Sequence, residues 1–370
     1  MSLSFKKIYA LGLMSGTSMD AINVSLVKTD GIELDELNIN KVSPYSNKTR
    51  KLLNEILNNL PRSLSKLSLI NETSELVTLD HFKSIKSILS ETEIIPEIVG
   101  FHGQTVFHNP KKGISIQLGD SDLLSKLSKI DVIGNFRKLD IHFGGEGAPI
   151  APIYHQQIID NFNLKLPCCF INIGGVSNIT YWDGNVLLGF DCGPGNALMD
   201  KYMQEKFQLS YDKFGRLAKD GTPINKIIMK CFDDEFFKKK FPKSLEKSYF
   251  FYLLELIKSN DYKPEDIMAT LLSISVNSIK KGLIILPKKP QSIYIMGGGA
   301  YNKTLVKSLK EMYADKINLI EKIGLDATMI EANLIAYLAV RKIRNLPSTF
   351  PQTTGVNKPT CLGDLFKYKK

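Results

Sequence analysis

The residues best suited to chemistry gather in three glycine-containing turns, each following a run that reads as a strand: Gly16-Thr17-Ser18-Met19-Asp20, Asp191-Cys192-Gly193-Pro194-Gly195-Asn196 and Gly297-Gly298-Gly299-Ala300-Tyr301-Asn302. Glycine lets main-chain N–H groups approach an anion without a Cβ in the way, and hydroxyls such as those of Thr17 and Ser18 add donors for phosphate oxygens. A plain hairpin turn would use the same residues, so no turn is decisive alone. None matches G-x-x-x-x-G-K-[ST], the first joins two strands instead of opening a helix, and the third lacks G-x-G-x-x-G. A Walker-type fold and a Rossmann dehydrogenase are therefore disfavoured. Asp191 is ionised at neutral pH, with a reference pKa of about 3.9, and could take a proton from water; the alternative is a turn Asp bonded to its own backbone. Asp20 beside the first turn is a candidate Mg²⁺ ligand or a cap.

The elements that must position these turns occur as two similar sets. Ile8 to Met14 and Ala21 to Thr29 read as strands around the first turn, followed by helical spacing at Lys48 to Leu60 and Leu64 to Ser90. Short strands return at Glu97 to Phe101 and Asp131 to Gly134, with a helix at Ser121 to Lys129 between them. After the glycine-dense stretch Phe143 to Pro149, a candidate crossing between lobes, the opening pattern recurs: strand Cys168 to Ile173, the turn Gly174-Gly175, and strands Asn178 to Trp182 and Asn185 to Phe190. Helices at Asn196 to Phe207, Tyr249 to Ser259, Pro264 to Leu286, Lys303 to Met312 and Asp326 to Ile343, with a strand at Ser292 to Met296, complete the set. Strands alternating with helices imply α/β lobes, and the repeated opening implies a duplicated fold with a ligand in the cleft between its halves. The expected division is 1–134 plus 345–370 for the first lobe and 135–344 for the second.

Composition narrows the classes. At 370 residues, 43% hydrophobic and 23% charged, the chain is neither disordered nor fibrous. Five cysteines with no C-x-x-C pair argue against a zinc ribbon, a thioredoxin motif or a secreted disulfide framework, and fit a reducing, cytoplasmic setting. The net charge of +10 invites a nucleic-acid reading, yet only six of the 48 basic residues are arginine, and lysines spread along helices usually make a solvated face. No nucleic acid is expected as a partner. The apolar stretch Ile8 to Met14 is too short for a signal peptide, and no apolar run approaches the ~18 residues that cross a bilayer, so no membrane partner is expected either.

Two phosphate-type turns in similar halves, with a later Gly-Gly-Gly before a helix, suit the gripping of one nucleotide from both sides. This order resembles the actin and hexokinase superfamily, with its ribonuclease H-like lobes. More particular words, Gly12-Leu-Met-Ser-Gly-Thr-Ser-Met-Asp20, His102-Gly-Gln-Thr-Val106, Gln117-Leu-Gly-Asp120, Gly144-Gly-Glu-Gly-Ala-Pro149, Asn172-Ile-Gly-Gly175, Phe190 to Asp200 and Gly297 to Asn302, resemble the anhydro-N-acetylmuramic acid kinase family from residue 8 to Gly355. The resemblance implies a cytoplasmic enzyme of peptidoglycan recycling that uses ATP, Mg²⁺ and water to turn 1,6-anhydro-N-acetylmuramic acid, a small amino-sugar substrate, into N-acetylmuramic acid 6-phosphate. It places the ATP phosphates at Gly16, Thr17, Ser18, Met19, Asp20, Ala21, Ile22 and Asn23, with Gly174, Gly175, Gly193, Gly195 and Asn196 in the second hairpin region. Gly297, Gly298, Gly299 and Asn302 would lie near the adenosine. Asp191 would be the catalytic base.

Sugar contacts are expected from His102, Gln104, Thr105, Arg137 and Glu331. Arg137 could fork onto the lactyl carboxylate or join a surface ion pair. His102 and His108 compete with a reading as satisfied structural histidines, and Glu331 with that of an acidic residue favoured by its helix dipole. The chain departs from the family words at Ala21 and Asn23, where Asp-Gly-x-Asp is usual, at Asn135 for Asp, at Glu146 for Gln, and at Lys243-Ser-Leu-Glu-Lys-Ser248 for Lys-Ser-Thr-Gly-Arg-Glu. Another sugar kinase of the superfamily, or a catalytically silent actin-like nucleotide-binding protein, are the rival readings. The chain does not specify its oligomeric state and leaves a homodimer open.

Overall fold

The computed structural model describes residues 5–16, 19, 21–109, 112–258 and 260–369. In the first unit, β1 (Ile8–Ser15), β2 (Ile22–Thr29) and β3 (Leu34–Ser43) form an antiparallel meander. Helices α1 (Asn47–Asn58) and α2 (Leu67–Leu89) follow, and then β4 (Ile98–Asn109) returns parallel to β1. β5 (Ile114–Leu118) pairs back on β4, and after α3 (Ser121–Ser128) the short β6 (Val132–Gly134) lies parallel to β4. Helix α4 (Lys138–His142) leads to α5 (Pro152–Asn161), inside which the chain passes from one unit to the other.

The second unit repeats the plan. Strands β7 (Cys168–Ile173), β8 (Val176–Trp182) and β9 (Leu187–Pro194) form the meander, and β10 (Ser292–Met296) and β11 (Ile317–Leu319) continue in parallel beside β7. The order β3-β2-β1-β4-β6 in one sheet is matched by β9-β8-β7-β10-β11 in the other. This is the duplicated arrangement expected from the recurring strand-turn-strand pattern. Between β9 and β10 come α6 (Ala197–Phe207), the short helices α7 to α10 (Arg216–Lys219, Asn225–Phe232, Glu235–Lys238, Tyr252–Lys258) and α11 (Pro264–Ile284); α12 (Lys303–Tyr313) precedes β11. Contrary to the sequence expectation, α11 is apolar and long enough to cross a membrane. However, 72% of its apolar window is buried, and it packs along β8 and β9 as the core helix of this unit.

The chain then returns to the first unit with α13 (Ile330–Ile343) and β12 (Asp364–Phe366), which closes the sheet edge against β6. Helix α13 lies against β1, β2 and β4 with backbones almost touching. A Cβ on Gly12 would stand 1.8 Å from the Ala332 carbonyl oxygen, and one on Gly100 would stand 2.4 Å from that of Ile335. Two glycines in adjacent strands thus create the groove that the alanine-lined face of α13 fills.

The division of the chain corrects the sequence expectation. The first unit holds the described residues up to Gln157 together with Thr328–Pro351 and Gly355–Lys370, and the second holds Ile158–Ala327 with Gln352–Thr354. Residues 135–157 and α13 therefore belong to the first unit. Hydrogen bonds explain why: Asn135 Nδ2 donates to Asp364 at 2.9 Å, the Asn357 N–H to the Phe143 carbonyl at 3.1 Å, and the Gly147 N–H to buried Asp140 at 2.7 Å. The glycine-dense stretch Phe143 to Pro149 wraps around Asp140 and is not the crossing.

Candidate active site

In the first unit the β1–β2 turn is held from behind. Gln104, fully buried on β4, donates through Nε2 to the Gly16 carbonyl at 3.1 Å, and its Oε1 accepts from the Tyr45 hydroxyl at 3.3 Å. The same Gly16 carbonyl accepts from the Met19 N–H at 3.1 Å, with Met19 in the left-handed region at φ 57°. Ile22 opens β2 opposite Ser15, Ala21 precedes it, and Asn23 Nδ2 donates to the Thr328 carbonyl at 2.8 Å. Thr17, Ser18 and the proposed metal ligand Asp20 lie outside the described residues. Gln104, expected to touch the sugar, is buried and braces the β1–β2 turn through these bonds. Thr105 accepts from Gln117 Nε2 at 3.3 Å across the β4–β5 pair.

His102, His108 and Glu331 each lie within electrostatic reach of Arg137. Buried His102 donates from Nδ1 to the Gly103 carbonyl at 2.9 Å, which leaves Nε2 as the acceptor for Arg137 Nε at 3.1 Å. Burial first, and then the Arg137 charge, push the His102 pKa down to about 3, so this histidine stays neutral and acts as a fixed acceptor that aims the guanidinium. His102 is thus a positioning group for Arg137. Burial raises the Glu331 pKa, and the positive charge of Arg137 works against that rise. Asn135, the departure before Phe136-Arg137, occupies the left-handed region at φ 58°, a conformation that Asn tolerates better than most residues.

In the second unit the Gly174-Gly175 turn between β7 and β8 is tied to the start of α6. The Gly174 carbonyl accepts from the Asn196 N–H at 2.7 Å, and that of Gly175 from Gly195 at 3.0 Å and Ala197 at 3.2 Å. The glycines here divide into two kinds. A Cβ on Gly193, Gly195, Gly297 or Gly299 would lie within 2.5 Å of Ser278 Oγ, the Gly174 carbonyl, Asn172 Oδ1 or Ile173 Cγ2, respectively. Those four serve close internal packing. Beside Gly174 and Gly298, by contrast, the nearest atoms to a Cβ would be 3.5 and 3.6 Å away, at ordinary van der Waals distance, so internal packing does not require glycine at either position. Gly175 is covered by the flexible stem of Lys247. Asn302, expected near the adenosine, spends its side-chain oxygen capping α12, accepting from the Leu305 N–H at 3.0 Å.

Asp191 is buried on β9, paired with Asn178, at the point where the register slips so that Cys192 becomes an extra residue. Bulges of this kind re-aim the side chains next to them. One carboxylate oxygen accepts from the Leu245 N–H at 2.7 Å, while the Asp191 N–H donates to the Lys243 carbonyl at 2.9 Å, so residues 243 and 245 grip it on both sides. No sequence signal marks Leu245, because a backbone donor leaves no trace in residue type. Among the described residues no three His, Cys, Asp or Glu side chains form a metal site. Mg²⁺ held mainly by phosphates and one or two carboxylates does not require one.

Duplicated α/β units, with glycine turns and a carboxylate oriented beside a bulge, are an arrangement suited to a phosphotransferase. Comparison with known proteins narrows the class. The pattern of the anhydro-N-acetylmuramic acid kinase family matches residues 8–368, and the chain belongs to that family. Proteins named anhydro-N-acetylmuramic acid kinase from Rhodopseudomonas palustris (strain ATCC BAA-98 / CGA009) and Bradyrhizobium diazoefficiens are each 37% identical over 362 residues, covering 96% of this chain and 98% of theirs. One from Zymomonas mobilis is 35% identical over 365 residues, with the same coverage.

Proposed function

We propose that the protein converts 1,6-anhydro-N-acetylmuramic acid, ATP and water into N-acetylmuramic acid 6-phosphate and ADP, in the cytoplasm, as a step of peptidoglycan recycling. The observation that carries the reading is the family match across residues 8–368, within which the word Phe190 to Asp200 presents Asp191 gripped and oriented. The coupled reaction calls on both sets of residues: Arg137 and Glu331 for the sugar, Asp191 and the glycine turns for the water and the nucleotide.

The chemistry balances with one base. A water O–H bond breaks as its proton passes to the Asp191 carboxylate, and the water oxygen bonds to the anomeric carbon. The C1–O6 bridge opens, O6 bonds to the γ-phosphorus, and the bond from that phosphorus to the β–γ bridging oxygen breaks to release ADP. Phosphoryl transfer takes the charge that a glycosidase would quench with a second carboxylic acid. Arg137, with its Nε committed to His102, would turn the rest of its fork toward the lactyl carboxylate. When bound, Mg²⁺ would neutralise charge on the phosphates, with Asp20 its proposed protein ligand. The first turn, braced by Gln104, and the backbone at Gly174 and Gly298 would receive the nucleotide.

The source of oxygen tests this reading, because an ordinary sugar kinase brings no solvent atom into its product. Turnover in ¹⁸O-water is expected to place the label on C1 of the sugar and none on the transferred phosphate, in product analysed before the anomeric hydroxyl exchanges. Label in inorganic phosphate, with unphosphorylated sugar recovered, would mean that water attacks ATP and that the coupled reaction is wrong.

A further inference from the structure

The segment that departs most from the family words, Lys243 to Ser248, packs directly on the candidate base. Lys243 is only 7% exposed, an unusual place for an ammonium group. Its Nζ donates to the Phe236 carbonyl at 3.2 Å and stands 4.2 Å from the centre of the Phe236 ring, with the Phe237 ring centre at 6.0 Å. A carbonyl and two ring faces solvate the charge partially and cannot neutralise it. The carboxylate that attracts it is that of Asp191, whose neighbour Cys192 carries a thiol kept protonated by burial. The other charged groups acting on Lys243 are unfavourable: Lys239 from the preceding segment and Lys281 from α11.

Burying a lysine against two other lysines costs stability, so a return is to be sought elsewhere. The main chain of residues 243–245 already grips Asp191 on both sides, which fixes the lysine to the same short segment as the Asp191 backbone partners. We propose that Lys243 acts on Asp191 through its charge: held on the segment whose main chain grips Asp191, its buried ammonium keeps the carboxylate ionised, ready to take the proton of water. This rests on the reading of Asp191 as the base and extends it to the residue that tunes it. A fixed positive charge close to a carboxylate in a poorly solvated site favours the charged form, so removing it makes the carboxylate easier to protonate. Lys239, Lys281 and the Cys192 thiol surround the pair and stay in place in the variants below.

The test is the pH profile of sugar-dependent ATP turnover in the full chain. Lys243→Met keeps the stem and removes the charge; its acid limb is expected to move to higher pH by about one unit, with a severalfold lower plateau, and Lys243→Arg to restore the limb. A purely structural lysine would lower the plateau or the melting temperature and leave the limb where it was, and that result overturns the proposal. Lys243→Gln is read in the same way should the Met variant not fold. Failure of both neutral variants to fold shows a structural role and also overturns it. Asp191→Asn separates the two readings. If that variant keeps its turnover, the base assignment itself falls; if it is inactive while the acid limb of the Lys243 variants is unmoved, only the role of Lys243 falls.

Discussion

Asp191→Asn is expected to lower sugar-dependent ATP turnover by roughly 10² to 10⁴-fold, the usual worth of a positioned general base. The substitution should leave the fold intact. The amide oxygen can still accept from the Leu245 N–H that now bonds the carboxylate at 2.7 Å, and the Asp191 N–H to Lys243 carbonyl bond involves no side chain. What the amide cannot do is take a proton from water. Nucleotide affinity measured by calorimetry should stay close to that of the parent, since the substitution leaves the backbone of the proposed nucleotide turns unchanged. Turnover within about tenfold of the parent would remove Asp191 from the role of base.

The second large effect concerns a residue far from any proton transfer. Gly12→Ala adds one methyl group, yet that carbon would lie 1.8 Å from the Ala332 carbonyl oxygen and 2.7 Å from the Ala336 nitrogen, both main-chain atoms of α13. No rotamer change relieves such a clash; the helix must move away from β1, β2 and β4 together. Overpacking against backbone belongs to the severe end of core substitutions, and a loss of at least about 4 kcal/mol is expected. Thermal unfolding should show the first unit melting lower by about 8 °C or more. A melting temperature within a few degrees of the parent would show that α13 can shift at little cost.

Much of this architecture is legible in the sequence. The strands around the first turn, the run Cys168 to Ile173 and the helices after residue 196 all stand close to where pattern puts them. Strand β3 is not legible, for a physical reason. Its apolar residues Leu34, Leu37 and Ile39 fall at spacings of three and two, because Asn38 takes a left-handed conformation at φ 56° and the pairing with β2 shifts there, and Val42, beyond the shift, is exposed. A period of two is thereby broken. The unit boundary lies past the glycine-dense stretch because glycine density marks tight wrapping as readily as a linker, and around Asp140 it marks wrapping.

The candidate site shows the same divide. Asp191 and Arg137 stand out in the sequence because their side-chain types suit the proposed chemistry. The brace role of Gln104 and the acceptor role of His102 follow from burial and partners that no residue type announces. Residue type alone points Gln104 to the sugar and leaves its bond to the Gly16 carbonyl invisible.

All five histidines of the chain lie within the first 157 residues, and the second unit has none. Three of them, His81, His102 and His155, are buried neutral, with burial holding their pKa values at about 4, 3 and 3 against an ordinary 6.5. Below pH 6.5 the unfolded chain takes up protons at these positions that the folded unit refuses. Proton uptake therefore favours unfolding, and stability falls as pH drops from 6.5 toward 3, each histidine contributing up to about 1.4 kcal/mol per pH unit in that window. Acidification is thus expected to dismantle the two units in sequence, the first unit first, with protection of backbone amides against hydrogen exchange at pH 5 lost in β1 to β6 before β7 to β11. Simultaneous loss across both sheets would show that the histidines do not set the order.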